Sequence, residues 1–118
     1  MNKQNIILIG MPGAGKSSVG VILAKVLGYE FIDTDLVIQH REKRLLREII
    51  ADEGNEGFLA IENEVNATLE ADESVIAPGG SAIYGKEAME HFKEIGTIVY
   101  LKLSYEDLAK RLGNLKGR

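Results

Sequence analysis

The chain contains no cysteine and no tryptophan, and only two prolines and two histidines. Without cysteine there can be no disulfide, no thiolate metal ligand and no cysteine nucleophile. The two histidines, His40 and His91, are isolated and have no partners at metal-ligand spacing, so a structural zinc site is not expected. Both are read as surface or packing residues. Long apolar runs are also missing. A helical membrane span needs about 20 apolar residues, whereas the run 6–9 at the N-terminus breaks at Gly10. It does not read as a secretory signal, and no membrane partner and a cytoplasmic location are expected. Nor is there an excess of positive charge: 14 Lys plus Arg face 18 Asp plus Glu, for a net charge of −4. That balance offers no basic face for a nucleic-acid backbone, so no nucleic-acid partner is expected. What is present is 118 residues of 45% hydrophobic and 27% charged character, enough for a single packed domain over 1–118, expected to be a monomer.

Hydrophobic patterning alternates between strand and helix. Residues 5–9, Asn-Ile-Ile-Leu-Ile, suit a strand covered on both faces, as in a parallel sheet. Over 16–27 the apolar residues Val19, Ile22, Leu23, Val26 and Leu27 fall at helical spacing, and Gly28 is a natural stop. A short strand is expected over 29–32. Two helices broken near 40–43 follow, then a further helix over 56–69 with Phe58, Ile61, Val65 and Leu69 on one stripe. Residues 74–77 read as a strand that ends in Pro78-Gly79-Gly80. A helix over 86–93 closed by Gly96, a strand over 97–103 and a helix opened by the capping box Ser104-Tyr105-Glu106-Asp107 complete the pattern. The order implies βαβ units and an α/β fold with a mostly parallel sheet. Four strands make a thin sheet, and the polar, glycine-containing end at 114–118 suggests the front part of a longer protein.

Residues 10–17 read GMPGAGKS. This satisfies G-x-x-x-x-G-K-[ST] between a buried strand and an amphipathic helix, the setting in which such a loop cradles phosphates. Gly10, Gly13 and Gly15 let the backbone wrap an anion closely and point N–H groups at it, and the helix adds its positive end. Lys16 supplies a full charge to the β- and γ-phosphates, and the Ser17 hydroxyl can coordinate Mg²⁺. The candidate nucleotide-binding residues here are Gly10, Gly13, Ala14, Gly15, Lys16, Ser17 and Ser18, with Lys16 also a candidate catalytic residue. The motif alone does not choose between hydrolysing, transferring and sensing a nucleotide.

Past the second strand, Asp33 and Asp35 stand at i and i+2, and an extended backbone would send both carboxylates to one side. They would sit at the carboxyl end of the sheet, where open α/β folds bind ligands. One could bind metal-bound water and the other could accept a hydrogen bond from an acceptor hydroxyl. The alternative is an N-terminal cap for the following helix.

GMPGAGKSSVG, then FIDTD some twenty residues on, then EGF with a following glutamate, and APGG after a short strand together resemble the shikimate kinase family. The resemblance spans Ile6 to Arg118. It implies a three-layer α/β/α phosphate-loop fold of the nucleoside monophosphate kinase type, with ATP and Mg²⁺ as cofactors and a small polyhydroxylated acid as phosphoryl acceptor. It also implies that the chain stops short of the family's C-terminal lid and last strand and helix. By the same resemblance, Lys16 and Ser17 bind phosphate and magnesium, and Asp33 reaches the metal as a carboxylate behind its bound water. Asp35 holds and deprotonates the acceptor hydroxyl, Gly79 and Gly80 offer backbone N–H groups to the acceptor, and Arg111 and Arg118 flank the adenine and open the lid.

Two positions depart from the family pattern. Phe58-Leu59 stands where the family has Phe-Arg, so a clamp for the substrate carboxylate is missing, and Ser81 replaces the third glycine of a triple-glycine loop. Arg41, Arg44 and Arg47 lie where the family's acceptor-binding helices run and are candidate replacements for the clamp, although a solvated helix face is the plainer expectation. Tyr84, Phe92 and Tyr100 are expected to pack. The leading expectation is ATP- and Mg²⁺-dependent phosphoryl transfer to a hydroxyl of a small metabolite. The alternatives are a kinase for a different small acceptor and a nucleotide-binding module without transfer.

Overall fold

A computed structural model describes residues 4–10 and 16–101. The strands are β1 (Asn5–Gly10), β2 (Glu30–Asp33), β3 (Ser74–Ala77) and β4 (Gly96–Leu101); the helices are α1 (Lys16–Leu27), α2 (Thr34–Glu42), α3 (Leu46–Ala67) and α4 (Lys86–Ile95). The strands form one sheet in the order β2-β3-β1-β4, with every neighbouring pair parallel. Ile7 registers with Ile76 on β3 and with Ile98 on β4, and Asp33 with Ala77.

Both faces of β1 are covered, which is why its sequence is apolar throughout rather than alternating. Ile7 and Ile9 point to the face where Phe92 and Ile95 of α4 complete a core with Ile76. Leu8 points to the other face and packs with Val75 and Ala24 of α1, flanked by Val19, Leu23 and Phe31. Successive strand residues thus serve opposite layers, and α1 and α4 lie on opposite faces of the sheet. A third cluster, Ile38, Ile49 and Val65 with Phe58 and Ile61 around it, joins α2 to α3. The three-layer α/β fold expected from the sequence is the fold observed.

The local boundaries follow from identifiable residues. Gly28 ends α1 with a φ of 72°, the left-handed conformation that glycine adopts without steric cost. Helix α2 ends at Lys43, also left-handed, whose N–H donates to the Gln39 carbonyl, inside the break expected at 40–43. The helical stretches read separately around 45–50 and over 56–69 form one element, α3, interrupted at Gly54, where φ is 77°. Strand β2 starts one residue later than its apolar pattern suggested. The end of the strand expected over 97–103 and the helix expected to open at Ser104 lie outside the described residues. Asn63 of α3 accepts the Ala88 N–H through Oδ1 and donates through Nδ2 to Glu87. It thereby supplies from a neighbouring helix the cap that Gly85 cannot give α4. Among the described residues, no helix is long and apolar enough to cross a membrane.

Candidate functional site

Strand β1 is the pivot of the sheet. Its outgoing helix α1 covers one face, whereas α4, which follows β3, covers the other. Adjacent strands whose connections diverge in this way open a crevice at their carboxyl ends, here between β1 and β3. Gly10 ends β1 at this edge, Pro78, Gly79 and Gly80 follow β3, and Asp33 ends β2. The phosphate-loop residues Gly13, Ala14 and Gly15, the side chains of Lys16 and Ser17, and Arg111 and Arg118 lie outside what the structure describes. The backbone of Lys16 opens α1 and Ser18 is exposed in its first turn, so the glycine motif sits between β1 and a helix N-terminus, the arrangement that binds anions.

Asp33 and Asp35 are not related by strand geometry. The extended backbone stops at Asp33, which is the N-cap of α2. Its Oδ1 accepts the Asp35 N–H at 2.9 Å. The cap and the metal reading are compatible: one carboxylate oxygen is fixed by the helix, and the other remains an acceptor at the sheet edge. Because β3 lies between β2 and β1, Asp33 stands two strand spacings, about 10 Å, from the end of β1.

Asp35, in the first turn of α2, faces the loop after β3. A Cβ at Gly79 would come within 2.9 Å of both Asp35 Oδ1 and Glu62 Oε2. A side chain there would have to displace both carboxylates, and the two oxygens are no farther apart than twice that distance. Glu62, on α3, is 2% exposed. Its Oε1 accepts the Ser81 hydroxyl at 2.7 Å, while Oε2 has no hydrogen-bond partner among the described residues. Burial pushes the Glu62 carboxyl above the usual carboxylate range; the Ser81 hydrogen bond opposes this and the Asp35 charge adds to it. A buried acceptor without a partner marks a place where a donor is received. Sequence reasoning passed over Glu62, although it is the glutamate that follows Glu-Gly-Phe. Its spacing from Ser81 gives no local signal, and only the packing of α3 against the 79–81 loop reveals it.

Of the three arginines considered as replacement clamps, Arg41 and Arg44 are engaged elsewhere and Arg47 is exposed. Arg41 pairs with Glu64 at 2.7 Å, and Arg44 with Glu42, Asp52 and Glu53 at 3.0, 3.1 and 3.3 Å. These pairs hold Arg44 further above its ordinary pKa and form the solvated face expected from the sequence. Leu59 is half exposed and lines a 260 Å³ cavity with Ala60, Asn63, Ser81, Tyr84 and Lys86. Phe92 is fully buried, as its packing role requires, and the His91 Nε2–H donates to the Leu69 carbonyl. Tyr84 and Tyr100, expected to pack, are instead exposed. They line a 450 Å³ cavity with Ile9, Gly10, Gly80 and Ser81, beside the phosphate loop.

Comparison with known proteins points one way. The family model described as shikimate kinase matches residues 12–118. Shikimate kinase 2 of Yersinia pseudotuberculosis is 38% identical over 109 residues, which are 92% of this chain and 63% of that protein. Among solved structures, shikimate kinase from Acinetobacter baumannii in complex with shikimate superposes with a TM-score of 0.80 at 37% identity, covering 98% of this chain and 65% of its own. Shikimate kinase from Aquifex aeolicus gives 0.77 at 35% identity, over 87% and 62%. The APS kinase CysC of Mycobacterium tuberculosis matches at a TM-score of 0.59 with 19% identity and shares the fold alone. The chain spans just under two thirds of the length of its shikimate kinase relatives.

Proposed function

Because this chain belongs to the shikimate kinase family, we propose that the protein transfers the γ-phosphoryl group of ATP to a hydroxyl of shikimate or a closely similar hydroxylated acid. The observation that carries the proposal is the convergence of Asp35 and Glu62 on Gly79 at the same sheet edge as the glycine motif. A phosphate loop alone serves many ends, but a carboxylate pair aimed into the adjoining crevice supplies what an acceptor hydroxyl needs: an oxygen to orient it and take its proton. The relative from Acinetobacter baumannii is described with shikimate bound, which supports that acceptor class.

In this reading Gly10, Gly13, Ala14, Gly15, Lys16, Ser17 and Ser18 hold the triphosphate, with Lys16 meeting the β- and γ-phosphates. Arg111 and Arg118 flank the nucleotide. Ser17 and Asp33 would hold magnesium, Ser17 directly and Asp33 through water. Their hard oxygen donors suit that ion, and the α2 cap fixes the Asp33 carboxylate. Bound there, magnesium neutralises charge on the phosphates. Asp35 orients the acceptor hydroxyl and receives its proton, while Gly79 and Gly80 line the acceptor with backbone. Excluding water matters to such transfer, and Ile9, Ile83, Tyr84 and Tyr100 line the cavity that adjoins Gly10 and Gly80.

A kinase for a different small acceptor has one specific observation in its favour. Leu59 lies on the cavity that meets Ser81, and a leucine can neither pair with nor hydrogen-bond a carboxylate. A coupled ATP assay of the full-length protein with shikimate, other hydroxylated acids and sugars decides between the acceptors. Shikimate-dependent ADP release supports the first reading. Release with another acceptor and none with shikimate supports the second.

A further inference from the structure

We propose that Ser81 is a positioning residue of the acceptor side: its hydroxyl fixes Glu62 so that the free oxygen Oε2 is presented, beside Asp35, to an acceptor hydroxyl at Gly79. The inference rests on the kinase reading above and adds a residue to it.

Ser81 follows the glycine pair at the end of β3 and precedes a 3-10 turn, Ala82–Tyr84. A serine there would ordinarily cap the turn, yet its side chain makes no capping bond. Its backbone does the local work, accepting the Tyr84 N–H at 3.1 Å, and its φ of −93° and ψ of 3° are open to any residue. The hydroxyl is therefore free to reach across to α3, and it donates to Glu62 Oε1 at 2.7 Å. This bond ties the loop to a helix residue 19 positions earlier in the chain.

Glu62 needs such a partner. A buried carboxylate with neither oxygen bonded is costly, and rotation about its last bond would exchange the two oxygens unless one were held. With Oε1 fixed, Oε2 points at Gly79. Among the described residues Asp35 on α2 is the charged group that bears on it, and it disfavours ionisation, whereas the Ser81 bond favours it. Losing the hydroxyl therefore has two consequences: Glu62 loses its orientation, and it holds its proton to higher pH.

The test uses the full-length protein and its Ser81→Ala, Ser81→Thr and Glu62→Gln variants. A hydrogen bond to a charged group is worth about 1.5–3 kcal/mol, so Ser81→Ala should lower kcat/KM for the acceptor about tenfold or more. The KM for MgATP should stay within about twofold, and the acidic limb of the pH profile should move upward. Ser81→Thr, which keeps the hydroxyl, should restore both. In the Glu62→Gln background Ser81→Ala should cost little more, because the two residues act as one unit. Carboxyl ¹³C NMR, with Glu62 assigned through Glu62→Gln, should show the Glu62 titration moved to higher pH by Ser81→Ala, a readout independent of turnover. An unchanged Glu62 titration and acceptor kcat/KM in Ser81→Ala would overturn the proposal, as would full additivity of the two substitutions. If the parent protein transfers phosphate to no acceptor, the kinase reading itself fails, while the NMR titration still reports whether Ser81 holds Glu62.

Discussion

The two sides of the crevice are built differently. In the proposed reading the phosphate side is mostly one continuous piece of sequence, the end of β1, the glycine motif and the start of α1, with Asp33, Arg111 and Arg118 added from elsewhere in the chain. The acceptor side is assembled from three separate segments: Asp35 at the start of α2, Glu62 in the middle of α3, and Gly79 with Ser81 after β3. A site made by local geometry announces itself in a spacing. A site made by packing does so only when the segments are brought together. The consequence is that substitutions on the two sides should separate nucleotide binding from acceptor chemistry.

The largest effect is expected on the phosphate side. Lys16→Ala should weaken MgATP binding or turnover by about 2–5 kcal/mol, on the order of thirtyfold to several thousandfold, because a triphosphate loses its point-charge partner. Steady-state kinetics and direct nucleotide titration of the folded variant check this. Unchanged values would move the nucleotide site elsewhere.

On the acceptor side, Asp35→Asn should reduce transfer about a hundredfold or more. Asp33→Asn should instead weaken the Mg²⁺ dependence and leave stability nearly unchanged, because the amide Oδ1 can still accept the Asp35 N–H that caps α2. A magnesium titration of the rate, together with thermal melts, separates the two. Equal effects of both substitutions on transfer, with no change in magnesium dependence, would erase the difference in their roles.

That division also marks what the sequence revealed. The alternation of apolar strands and amphipathic helices was readable because both faces of β1 are buried and each helix carries its own stripe. The stop at Gly28 was readable because glycine takes left-handed backbone without cost, and the break near Lys43 because the apolar spacing lapses there. Asp33 and Asp35 were readable as a pair, but their relation was not. An extended backbone was assumed where a helix begins, because the same Asp-Thr-Asp serves strand end and N-cap. Glu62 was readable as the glutamate after Glu-Gly-Phe but was given no role, because its burial and its bond from Ser81 arise only from packing. Tyr84 and Tyr100 were expected to pack in the core or at its boundary, and the structure instead leaves them exposed on the cavity beside Gly10.

A smaller effect concerns the acceptor's charge. Leu59→Arg would place a guanidinium on the cavity beside Ser81. It should lower the KM for shikimate, by about tenfold where the arginine and carboxylate pair through two bonds, and leave the KM for MgATP nearly unchanged. If the parent already has a micromolar shikimate KM and the substitution brings no gain, another cation holds the carboxylate.

The smallest expected effect is on stability. Since folding raises the Glu62 pKa, the folded state binds this proton more tightly than the unfolded chain. Its contribution is therefore most favourable at low pH and is lost as pH rises through the raised value. Toward higher pH the buried carboxyl is therefore a net cost, which Glu62→Gln removes at nearly the same shape. The variant should melt a few degrees higher than the parent at pH 8, with the gap closing toward pH 4. A constant gap across that range would show that Glu62 titrates no differently in the fold.

The separation of the two sides is tested most directly by titrating Asp35→Asn with MgATP in a calorimeter. The account predicts a Kd within about twofold of the parent's even though transfer has fallen by two orders of magnitude or so. A loss of MgATP affinity as large as the loss of transfer would contradict it, because Asp35 would then belong to the nucleotide side and the crevice would have no separate acceptor half.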